Sequence, residues 1–295
     1  MSEAQVAVKF FRDLEVEDFN VLRAIEKGMR NYRYVPYELV LKLSGLAIKE
    51  VDFRLGRLSE IRLIRRWVGS YEGYTLNRAG YDCLALNTLV KRNVLEAIGM
   101  PIGVGKESDI YEGLTPNGER VAVKFHRLGS ISFRNVIKLR GYVKDKRYTS
   151  WLFLSRVSAE REFQALKITY PLGVSVPKPI DRSRHTLVMS IIEGTELENL
   201  IDLPNPESVF NEIIENIRRT YLEAKIIHCD LSGFNILIKP DKHILIIDWP
   251  QYVSIRHPNA ETLLERDVKN IIDLFKRKFN FEADLEETLR YVKGE

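Results

Sequence analysis

HCDLSGFN at residues 228–235, followed by IIDWP at residues 246–250, is the stretch that decides how the chain is interpreted. One loop carries His228, Asp230 and Asn235, and a further aspartate, Asp248, ends an apolar run. Two carboxylates and an amide drawn from separate segments supply the oxygen ligands that bind a divalent metal together with polyphosphate. The remaining sequence must decide whether a nucleotide site surrounds them.

Length and composition place the chain among globular proteins. Its 295 residues are 45% hydrophobic and 29% charged, enough for one large domain or two ordinary ones. No run approaches the roughly 18 consecutive apolar residues of a membrane span, and the start has acids where a signal peptide would be basic and then apolar. Cys83 and Cys229 match no zinc or disulfide spacing. We therefore expect a cytoplasmic protein without membrane association.

Residues 1–95 have the pattern of a winged helix. In YELVLKLSGLAIKEVDFRLGRL, residues 37–58, apolar side chains recur at helical spacing on both sides of Ser44 and Gly45, which predicts helix, turn, helix. The following IRLIRRWVGSYEGYTL, residues 61–76, has apolar residues on both sides of a glycine turn, which predicts a two-stranded wing.

Basic residues on the second helix and on the wing favour contact with nucleic acid. The net charge of +4 and the pI near 8.9 permit such a partner. Structured RNA is preferred over DNA, with the phosphate backbone as the target. The alternative is a solvated basic face on a module docked to its neighbour. The candidates for RNA contact in this domain are Arg54, Arg57, Arg65 and Arg66.

From residue 96 the pattern changes to antiparallel strands around a glycine-rich turn. IGMPIGVGKESDIYEGLTPNGERVAVKFHR, residues 98–127, predicts a strand, a turn at Gly103 and Gly105, a strand, a second turn and a strand. The glycine pair alone is weak support for phosphate binding. Lys124, inside the alternating strand VAVKF, strengthens it, because a lysine beneath a glycine-rich flap can reach the phosphates of a nucleotide.

An acidic partner for Lys124 is expected on the next helix. In SAEREFQALKI, residues 158–168, Glu162 precedes Leu166 by one helical turn and is expected to face inward. There its carboxylate can hold the ammonium of Lys124. Glu160 is the competitor, and it is expected on the solvated face.

An adenine site is expected in the connector that follows. HTLVMSIIEGTEL, starting at residue 185, is expected to form a strand that stops only at Gly194 and leads into a connector between two lobes. The carbonyl of Ser190 and the amide of Ile192 are assigned to the edge of the base. Met189 is expected to line the back of the pocket, and Glu196 is directed to the ribose hydroxyls.

The opening stretch completes this set. The spacing H-x-D-x-x-x-x-N, followed by an aspartate at the mouth of a strand, predicts phosphoryl transfer from ATP. Asp230 is expected to orient, or take the proton from, the attacking hydroxyl or water. Asn235 and Asp248 are expected to hold the metal, while Lys124 steadies the α and β phosphates. His228 is expected to brace the loop rather than to carry protons.

With these residues identified, the chain resembles the RIO family of atypical protein kinases, in the branch whose kinase core follows a winged helix. GVGKESDIYEG, HCDLSGFNIL and IIDWPQ carry the resemblance, which covers nearly the whole chain. It implies an α+β fold with a winged-helix domain at 1–95 and a reduced bilobal kinase domain at 96–295. The N-lobe is expected at about 96–190 and the C-lobe at about 191–295.

The resemblance also implies an activity and a setting. It implies a serine/threonine kinase with ATPase activity, using ATP with Mg²⁺ or Mn²⁺, and transient phosphorylation of Asp248 as a further possibility. The implied partners are the precursor of the small ribosomal subunit and its rRNA. The sequence does not determine the physiological phosphoacceptor or the oligomeric state, for which a monomer is the default expectation.

Two departures from ordinary protein kinases bear on mechanism. Ser108 stands where a third glycine is usual, so the side chains of Lys106, Glu107 and Ser108 are expected to join backbone amides in holding the phosphates. Cys229 replaces the arginine that usually precedes the catalytic aspartate. Activation through a phosphorylated loop is therefore not expected.

A basic segment, RLGSISFRNVIKLRGYVKDKRYTSW at residues 127–151, separates Lys124 from Glu162. It is too long for an ordinary connection. Its interleaved basic and aromatic residues suit RNA through phosphate contacts and stacking, and the alternative is a solvated loop. By resemblance, Ser132 is the first candidate for autophosphorylation and Ser130 the second. The candidates for RNA contact in this segment are Arg134, Lys138 and Arg140.

Two other functions stay open. A small-molecule phosphotransferase of the aminoglycoside kind shares the H-x-D-x-x-x-x-N pattern, but it needs an acidic substrate pocket in the terminal helices. The acids there alternate with lysines and leucines, as helix faces do. A winged-helix regulator with a nucleotide-sensing domain is the non-enzymatic alternative, and it predicts sequence-specific DNA binding.

Overall fold

The computed structural model describes residues 3–105, 107–128 and 151–295. Two compact units are found, Met1–Ala159 with Asp181–Leu187, and Glu160–Ile180 with Val188–Glu295. The division passes through one long helix and two strands, and the predicted domain limits stay predictions. Among the described residues, no helix is both long enough and apolar enough to cross a membrane.

The first unit begins with the predicted winged helix. Its elements in chain order are α1 (Glu3–Phe11), α2 (Val16–Gly28), β1 (Val35–Pro36), α3 (Tyr37–Ser44), α4 (Ile48–Glu60), β2 (Ile64–Val68), β3 (Glu72–Leu76) and α5 (Arg78–Lys91). The strands form an antiparallel sheet of order β1-β3-β2. Apolar side chains of the helices and the sheet meet in one buried cluster that includes Leu22, Val51, Leu58 and Leu76.

Glycines shape the two turns that the sequence predicts here. Gly45 ends α3 with a φ of 69°, a left-handed conformation that glycine adopts without steric cost. In the wing, a β-carbon on Gly69 would overlap the ring of Trp67, and one on Gly73 would lie 2.9 Å from Tyr34 Cβ. Because these glycines leave room, Trp67 stacks on Tyr34 with 5.4 Å between ring centroids.

The predicted flap strands follow as β4 (Ala97–Val104), β5 (Ser108–Leu114) and β6 (Arg120–His126). With β7 (Pro179–Ser183) and β8 (Thr186–Ser190) they form a sheet of order β4-β5-β6-β8-β7. The prediction that the last strand continues to Gly194 is wrong. The strand ends at Ser190, because the chain then leaves this sheet and pairs in another at Thr195–Glu196.

The long helix α6 (Trp151–Thr169) leads into the second unit. The remaining elements are β9 (Thr195–Glu196), α7 (Pro206–Arg219), β10 (Ile226–Ile227), β11 (Ile236–Ile238), β12 (Ile244–Ile246), β13 (Val253–Ser254), α8 (Ala260–Phe279) and α9 (Leu285–Lys293). The strands pair as β12-β11-β9 and β10-β13. Asn205 caps α7 by accepting the amide of Ser208 over 3.2 Å, with Pro206 at the first helical turn. The loop that carries His228, Asp230 and Asn235 lies between β10 and β11.

Candidate active site

The flap is the hairpin of β4 and β5 in the first unit. Gly103 pairs with Ile110, and the amide of Gly105 donates to the carbonyl of Ser108 over 2.9 Å. Glu107 is exposed on the return side of the hairpin. Backbone amides at a turn of this kind can bind phosphate oxygens. The described part of the flap therefore has the form that the sequence predicts.

Lys124 and Glu162 are both buried. Lys124 lies in the middle of β6 and is 4% exposed, and Glu162 on α6 is 2% exposed. Glu160 is exposed, so burial agrees with the choice of Glu162 as the inward-facing acid. Buried charges of this kind require an opposite charge or hydrogen-bond partners. The two residues belong to different units, and the ion pair between them stays a prediction.

The predicted adenine contacts lie at the end of β8. Met189 is 1% exposed and Ile192 is 9% exposed. The amide of Ser190 donates to the carbonyl of Lys178 over 2.9 Å, which fixes the end of the strand. Two apolar side chains on either side of a strand end are suited to an adenine ring, and their role in binding it stays a prediction.

The connector after β8 requires a glycine. Gly194 has a φ of 149°, and a β-carbon there would lie 2.7 Å from the carbonyl oxygen of Ile238 on β11. Glu196 then pairs with Leu237 and is half-buried. Its Oε2 accepts from Asn199 Nδ2 over 2.7 Å. The residue assigned to the ribose is therefore held by the sheet of the second unit.

The loop between β10 and β11 in the second unit contains the HCDLSGFN motif. The side chain of Asn235 donates from Nδ2 to the carbonyl of Asp230 over 2.8 Å, and the amide of Ile247 donates to the carbonyl of Asn235 over 2.9 Å. Asp230 is exposed, and its Oδ2 accepts from Gln251 Nε2 over 3.1 Å. Asp230 and Asn235 thus share one hydrogen-bonded region with Ile247, the residue before Asp248. Gln251 adds to this region a residue that was not selected from the sequence.

Two residues of this region have left-handed backbone conformations. Cys229 and Asp248 each have a φ of 65°. Such conformations are uncommon outside glycine, although aspartate adopts them more readily than most residues. Strained backbone of this kind clusters at functional sites. The observation supports a functional role for the loop that contains Asp230 and for the strand end that carries Asp248.

His228 braces the loop, as predicted. It is 5% exposed, and its Nδ1 accepts the amide of Asp230 over 3.3 Å. Its Nε2 lies 3.0 Å from the carbonyl oxygen of Ile247, so the hydrogen-bond network assigns the proton to Nε2. Burial lowers the pKa of His228. The neutral ring lies 4.5 Å from Trp249 between ring centroids and so contacts residues on both sides of Asp248.

Helix α8 holds the backbone on both sides of Asp230. Asp267, 1% exposed, accepts the amide of Cys229 at Oδ2 over 2.6 Å and the amide of Leu231 at Oδ1 over 3.4 Å. Arg266 donates to the carbonyl of Cys229 over 2.5 Å, and Asn270 donates to the carbonyl of Leu231 over 3.1 Å. Burial raises the pKa of Asp267. None of these three helix residues was selected from the sequence.

Arg161 holds the segment that follows Asp248. Its Nε donates to the carbonyl of Pro250 over 2.8 Å, and its Nη2 donates to the carbonyl of Tyr252. The guanidinium also lies 4.6 Å from the centroid of the Tyr252 ring. Because Arg161 is adjacent to Glu162 on α6, the helix that carries this acid is tied to the segment that follows Asp248.

The residues present fit a hard divalent cation. Asn235 uses its amide nitrogen toward Asp230, which leaves the side-chain oxygen as the available donor, and Asp248 is half-buried at a strand end. Magnesium in nucleotide sites takes one or two protein oxygen ligands together with phosphates and water. A carboxylate and an amide oxygen provide such a set, and Mn²⁺ accepts the same ligands.

Comparison with known proteins agrees with this arrangement. The family model described as RIO domain matches residues 109–288, and that described as Rio2, N-terminal matches residues 11–92. The chain belongs to the Rio2 branch of the RIO kinase family. A RIO-type serine/threonine-protein kinase Rio2 of Methanocaldococcus jannaschii is 38% identical over 273 residues, covering 90% of this chain and 99% of that protein.

Other Rio2 proteins extend the comparison. Serine/threonine-protein kinase rio2 of Dictyostelium discoideum is 40% identical over 92% of this chain, which spans 52% of that relative's length. A crystal structure of a Rio2 kinase-ADP/Mg²⁺-phosphoaspartate complex from Chaetomium thermophilum matches with a TM-score of 0.83 and 36% identity. The match covers 98% of this chain and 89% of that one. The α+β fold, with a Rio2 N-terminal domain before a RIO domain, is therefore confirmed.

The structure of the winged helix corrects one predicted RNA contact, that of Arg54. Arg54 is buried, and its guanidinium donates to Glu50 over 2.7 Å, to Glu15 over 2.8 Å and to Asp18 over 3.3 Å. The charge of Arg54 is neutralised inside the domain, so the prediction that Arg54 contacts RNA is wrong. Arg57 also pairs with Asp18 over 2.8 Å, but 25% of its side chain stays accessible.

The wing keeps its arginines at the surface. Arg65 and Arg66 are exposed. Arg65 donates to the hydroxyl of Tyr34 over 2.7 Å, and Arg66 pairs with Glu72 over 2.8 Å. The stacked rings of Tyr34 and Trp67 lie beside them. Basic side chains next to partly exposed rings are suited to phosphates and bases, and these contacts stay a prediction.

Several predicted residues lie outside the described part of the chain. They are Lys106 of the flap, the autophosphorylation candidates Ser132 and Ser130, and the RNA-contact candidates Arg134, Lys138 and Arg140.

Proposed function

We propose that this protein is an ATP-dependent serine/threonine kinase with ATPase activity. The observation that carries the proposal is the exposed Asp230, whose carbonyl is bonded to Asn235 and whose flanking amides are bonded to Asp267. Relatives named as serine/threonine kinases and an ADP/Mg²⁺ complex of a Rio2 kinase support the same chemistry.

The proposed reaction is an in-line displacement. An acceptor oxygen forms a bond to the γ phosphorus while the bond from that phosphorus to the bridging oxygen breaks and releases ADP. The carboxylate of Asp230 orients the attacking hydroxyl or water and takes its proton. Lys124 steadies the α and β phosphates. The flap residues assigned to the phosphates are Gly103, Gly105, Lys106, Glu107 and Ser108.

The remaining groups orient the nucleotide. Asn235 and Asp248 would hold Mg²⁺ or Mn²⁺, which when bound neutralises the charge of the triphosphate. The adenine contacts are proposed at Met189, Ser190 and Ile192, and the ribose contact at Glu196. Binding of the base and of the phosphates by different segments fixes the γ phosphate relative to Asp230.

A second acceptor is Asp248 itself. The related complex from Chaetomium thermophilum is described as containing phosphoaspartate. Attack of a carboxylate oxygen on the γ phosphorus would give an acyl phosphate, whose hydrolysis completes an ATPase cycle. Wild-type protein quenched in acid during turnover should retain hydroxylamine-labile phosphate, and Asp248→Asn should not. Absence of hydroxylamine-labile phosphate from the wild type would contradict phosphorylation of Asp248.

The proposed setting is maturation of the small ribosomal subunit in the cytoplasm, with its rRNA as a partner. Family resemblance supplies this setting, and the exposed arginines of the wing support contact with RNA. Binding to short hairpins of small-subunit rRNA tests it. We expect affinity that falls steeply with salt, since phosphate contacts release counterions.

Titration with ADP tests the nucleotide site. We expect the wild type to bind ADP more tightly with Mg²⁺ than without it, and Asp248→Asn to lose that difference. Asp273→Asn is a matched control, because Asp273 lies on the exposed side of α8 and pairs only at the surface with Lys269 over 3.0 Å. Equal effects of Mg²⁺ in all three proteins would contradict the assignment of Asp248.

A further inference from the structure

A buried ion network joins the winged helix to the sheet that carries the flap. Arg127, directly after β6, donates from both Nη atoms to the carboxylate of Asp82 on α5, each over 2.7 Å. Its Nε donates to Asp109 Oδ2 over 2.8 Å. His185 Nε2 lies 2.7 Å from Asp82 Oδ1. Asp82 and His185 are fully buried and Arg127 is 5% exposed, so water is excluded from the network.

The network ends on the flap. Asp109 pairs with Val104 across the β4–β5 hairpin. The backbone amide of Arg127 donates to the carbonyl of Glu107 over 2.6 Å. One arginine therefore holds the return side of the flap twice, by its side chain at Asp109 and by its backbone at Glu107. The opposite edge of its guanidinium is held by the winged helix.

The geometry of arginine makes this link directional. A guanidinium is planar and presents its donors in a fixed fork. Bidentate pairing with Asp82 sets the plane of the fork, and the plane sets where Nε points. Burial would raise the pKa of Asp82, but Arg127 and His185 outweigh it and hold that pKa below its usual range. Asp82 is therefore ionised at neutral pH and accepts both hydrogen bonds from Arg127.

We propose that Asp82, a residue of the winged helix, is a positioning residue for nucleotide binding, because it holds Arg127 and thereby fixes Glu107 and Asp109 in the flap. The inference rests on the proposed function, in which the flap binds the phosphates of ATP. It gives the winged helix a part in the kinase site that is separate from contact with RNA. Asp82 touches neither ATP nor the acceptor, so its loss weakens ATP binding more than the chemical step.

The experiment compares Asp82→Asn with Glu26→Gln in the full chain. Glu26 on α2 is a matched control, because its carboxylate also joins the winged helix to the β7–β8 turn. It pairs there with Arg184 through two hydrogen bonds of 2.7 and 2.8 Å. Arg184 makes further hydrogen bonds to Leu84 and Thr88 of α5, away from the flap strands. Both variants remove one buried or half-buried charge between the same parts of the chain.

We expect Asp82→Asn to raise the KM for ATP about tenfold, the size of one lost charge-assisted hydrogen bond, and to change kcat less than about twofold. Glu26→Gln should leave KM within about twofold of the wild type. Both variants should lower Tm. Equal rises of KM in the two variants, in proportion to their loss of Tm, would overturn the proposal, as would an unchanged KM in Asp82→Asn. If Asp82→Asn does not fold, Asp109→Asn removes a carboxylate of the same network at the flap. It should likewise raise the KM for ATP with little change in kcat.

Hydrogen exchange in the absence of nucleotide tests whether Asp82 holds the flap, independently of the proposed function. The amides of residues 107–109 should exchange faster in Asp82→Asn than in Glu26→Gln. If the wild type neither binds nor hydrolyses ATP, the proposed function fails, and the exchange result still decides whether Asp82 holds the flap. Equal exchange in the two variants would overturn the positioning role.

Discussion

At the scale of single residues, Asp230 is placed by its neighbours rather than by its own packing. Its side chain is exposed, while its amide and carbonyl are bonded to His228 and Asn235. A general base must lie within hydrogen-bonding distance of the proton that it takes. The backbone contacts fix where the side chain begins, and the amide of Gln251 fixes the direction of the carboxylate.

Replacing Gln251 with alanine tests this placement. We expect kcat to fall about tenfold, the cost of one hydrogen bond to a charged group, with little change in the KM for ATP. Steady-state ATP turnover provides the measurement. Asp241→Ala is the control, because Asp241 makes a similarly exposed hydrogen bond with Lys239 in the turn between β11 and β12. A Gln251→Ala protein with unchanged kcat would show that Asp230 needs no such support.

His185 predicts how stability depends on pH. Burial lowers its pKa from 6.5 to about 4, although Asp82 opposes the shift. Between these two pH values the histidine is protonated in the unfolded chain but neutral in the folded protein. The free energy of unfolding therefore decreases by about 3 kcal/mol as the pH falls from 6.5 to about 4. Asp82 contributes stability that is lost only below this window, since its pKa lies below its usual range.

Urea denaturation between pH 4.5 and 7.5 measures this dependence. We expect His185→Gln to be less stable than the wild type at neutral pH and to show a flatter dependence on pH, because its side chain does not titrate. The same slope in both proteins would assign the pH dependence to other groups.

At the scale of elements, α8 supports the loop that carries Asp230. Asp267 accepts amides on both sides of Asp230, and Arg266 and Asn270 bind the carbonyls of the same two residues. A buried amide that loses its acceptor costs about 1–3 kcal/mol. The helix therefore contributes to stability and fixes the backbone around Asp230 through the same hydrogen bonds.

Asp267→Ala should lower the free energy of unfolding by about 2–5 kcal/mol, because it leaves two buried amides without an acceptor. It should also lower kcat, because the loop that carries Asp230 loses its support. Asp273→Ala, on the exposed side of the same helix, should cost less than about 0.5 kcal/mol. Similar losses in the two variants, measured by urea denaturation, would contradict a specific role for Asp267.

The elements that could be predicted are those with a local signal. The helices on either side of Gly45, the wing and the strands β4 to β6 follow from periodicity and glycine turns. Helix α5 has buried residues on all its faces, so no helical period marks it. The supports for Asp230 could not be predicted either, because Asp267 reaches Cys229 across 38 positions of sequence. Only the fold brings such residues together.

At the scale of the whole molecule, the sequence gives the number of charges but not their placement. Arg54 and Arg65 are both arginines of the winged helix, yet one is enclosed by carboxylates and the other is exposed on the wing. Local sequence could not separate them, because the acids around Arg54 come from α2 and its preceding loop as well as from α4. The wing is therefore a basic surface available to RNA in the described part of this domain.

The double variant Arg65→Ala/Arg66→Ala should weaken binding to rRNA hairpins and reduce the slope of log affinity against log salt by about two, one for each lost phosphate contact. Arg54→Ala should instead lower Tm and leave the affinity of the folded protein unchanged. Filter binding across salt concentrations provides the measurement. An Arg54→Ala protein that folds normally and loses RNA affinity would restore Arg54 to the contact set.

Phosphoryl transfer from ATP is proposed to take place at Asp230, with the metal held at Asp248. Incubation with γ-labelled ATP and Mg²⁺, for the wild type, Asp230→Ala and Asp248→Ala, measures free phosphate and protein-bound label together. We expect the wild type to give one or both products and each variant to lose them by about a hundredfold or more, while Asp230→Ala still binds ADP. A wild type that binds ATP and yields neither product would contradict the claim.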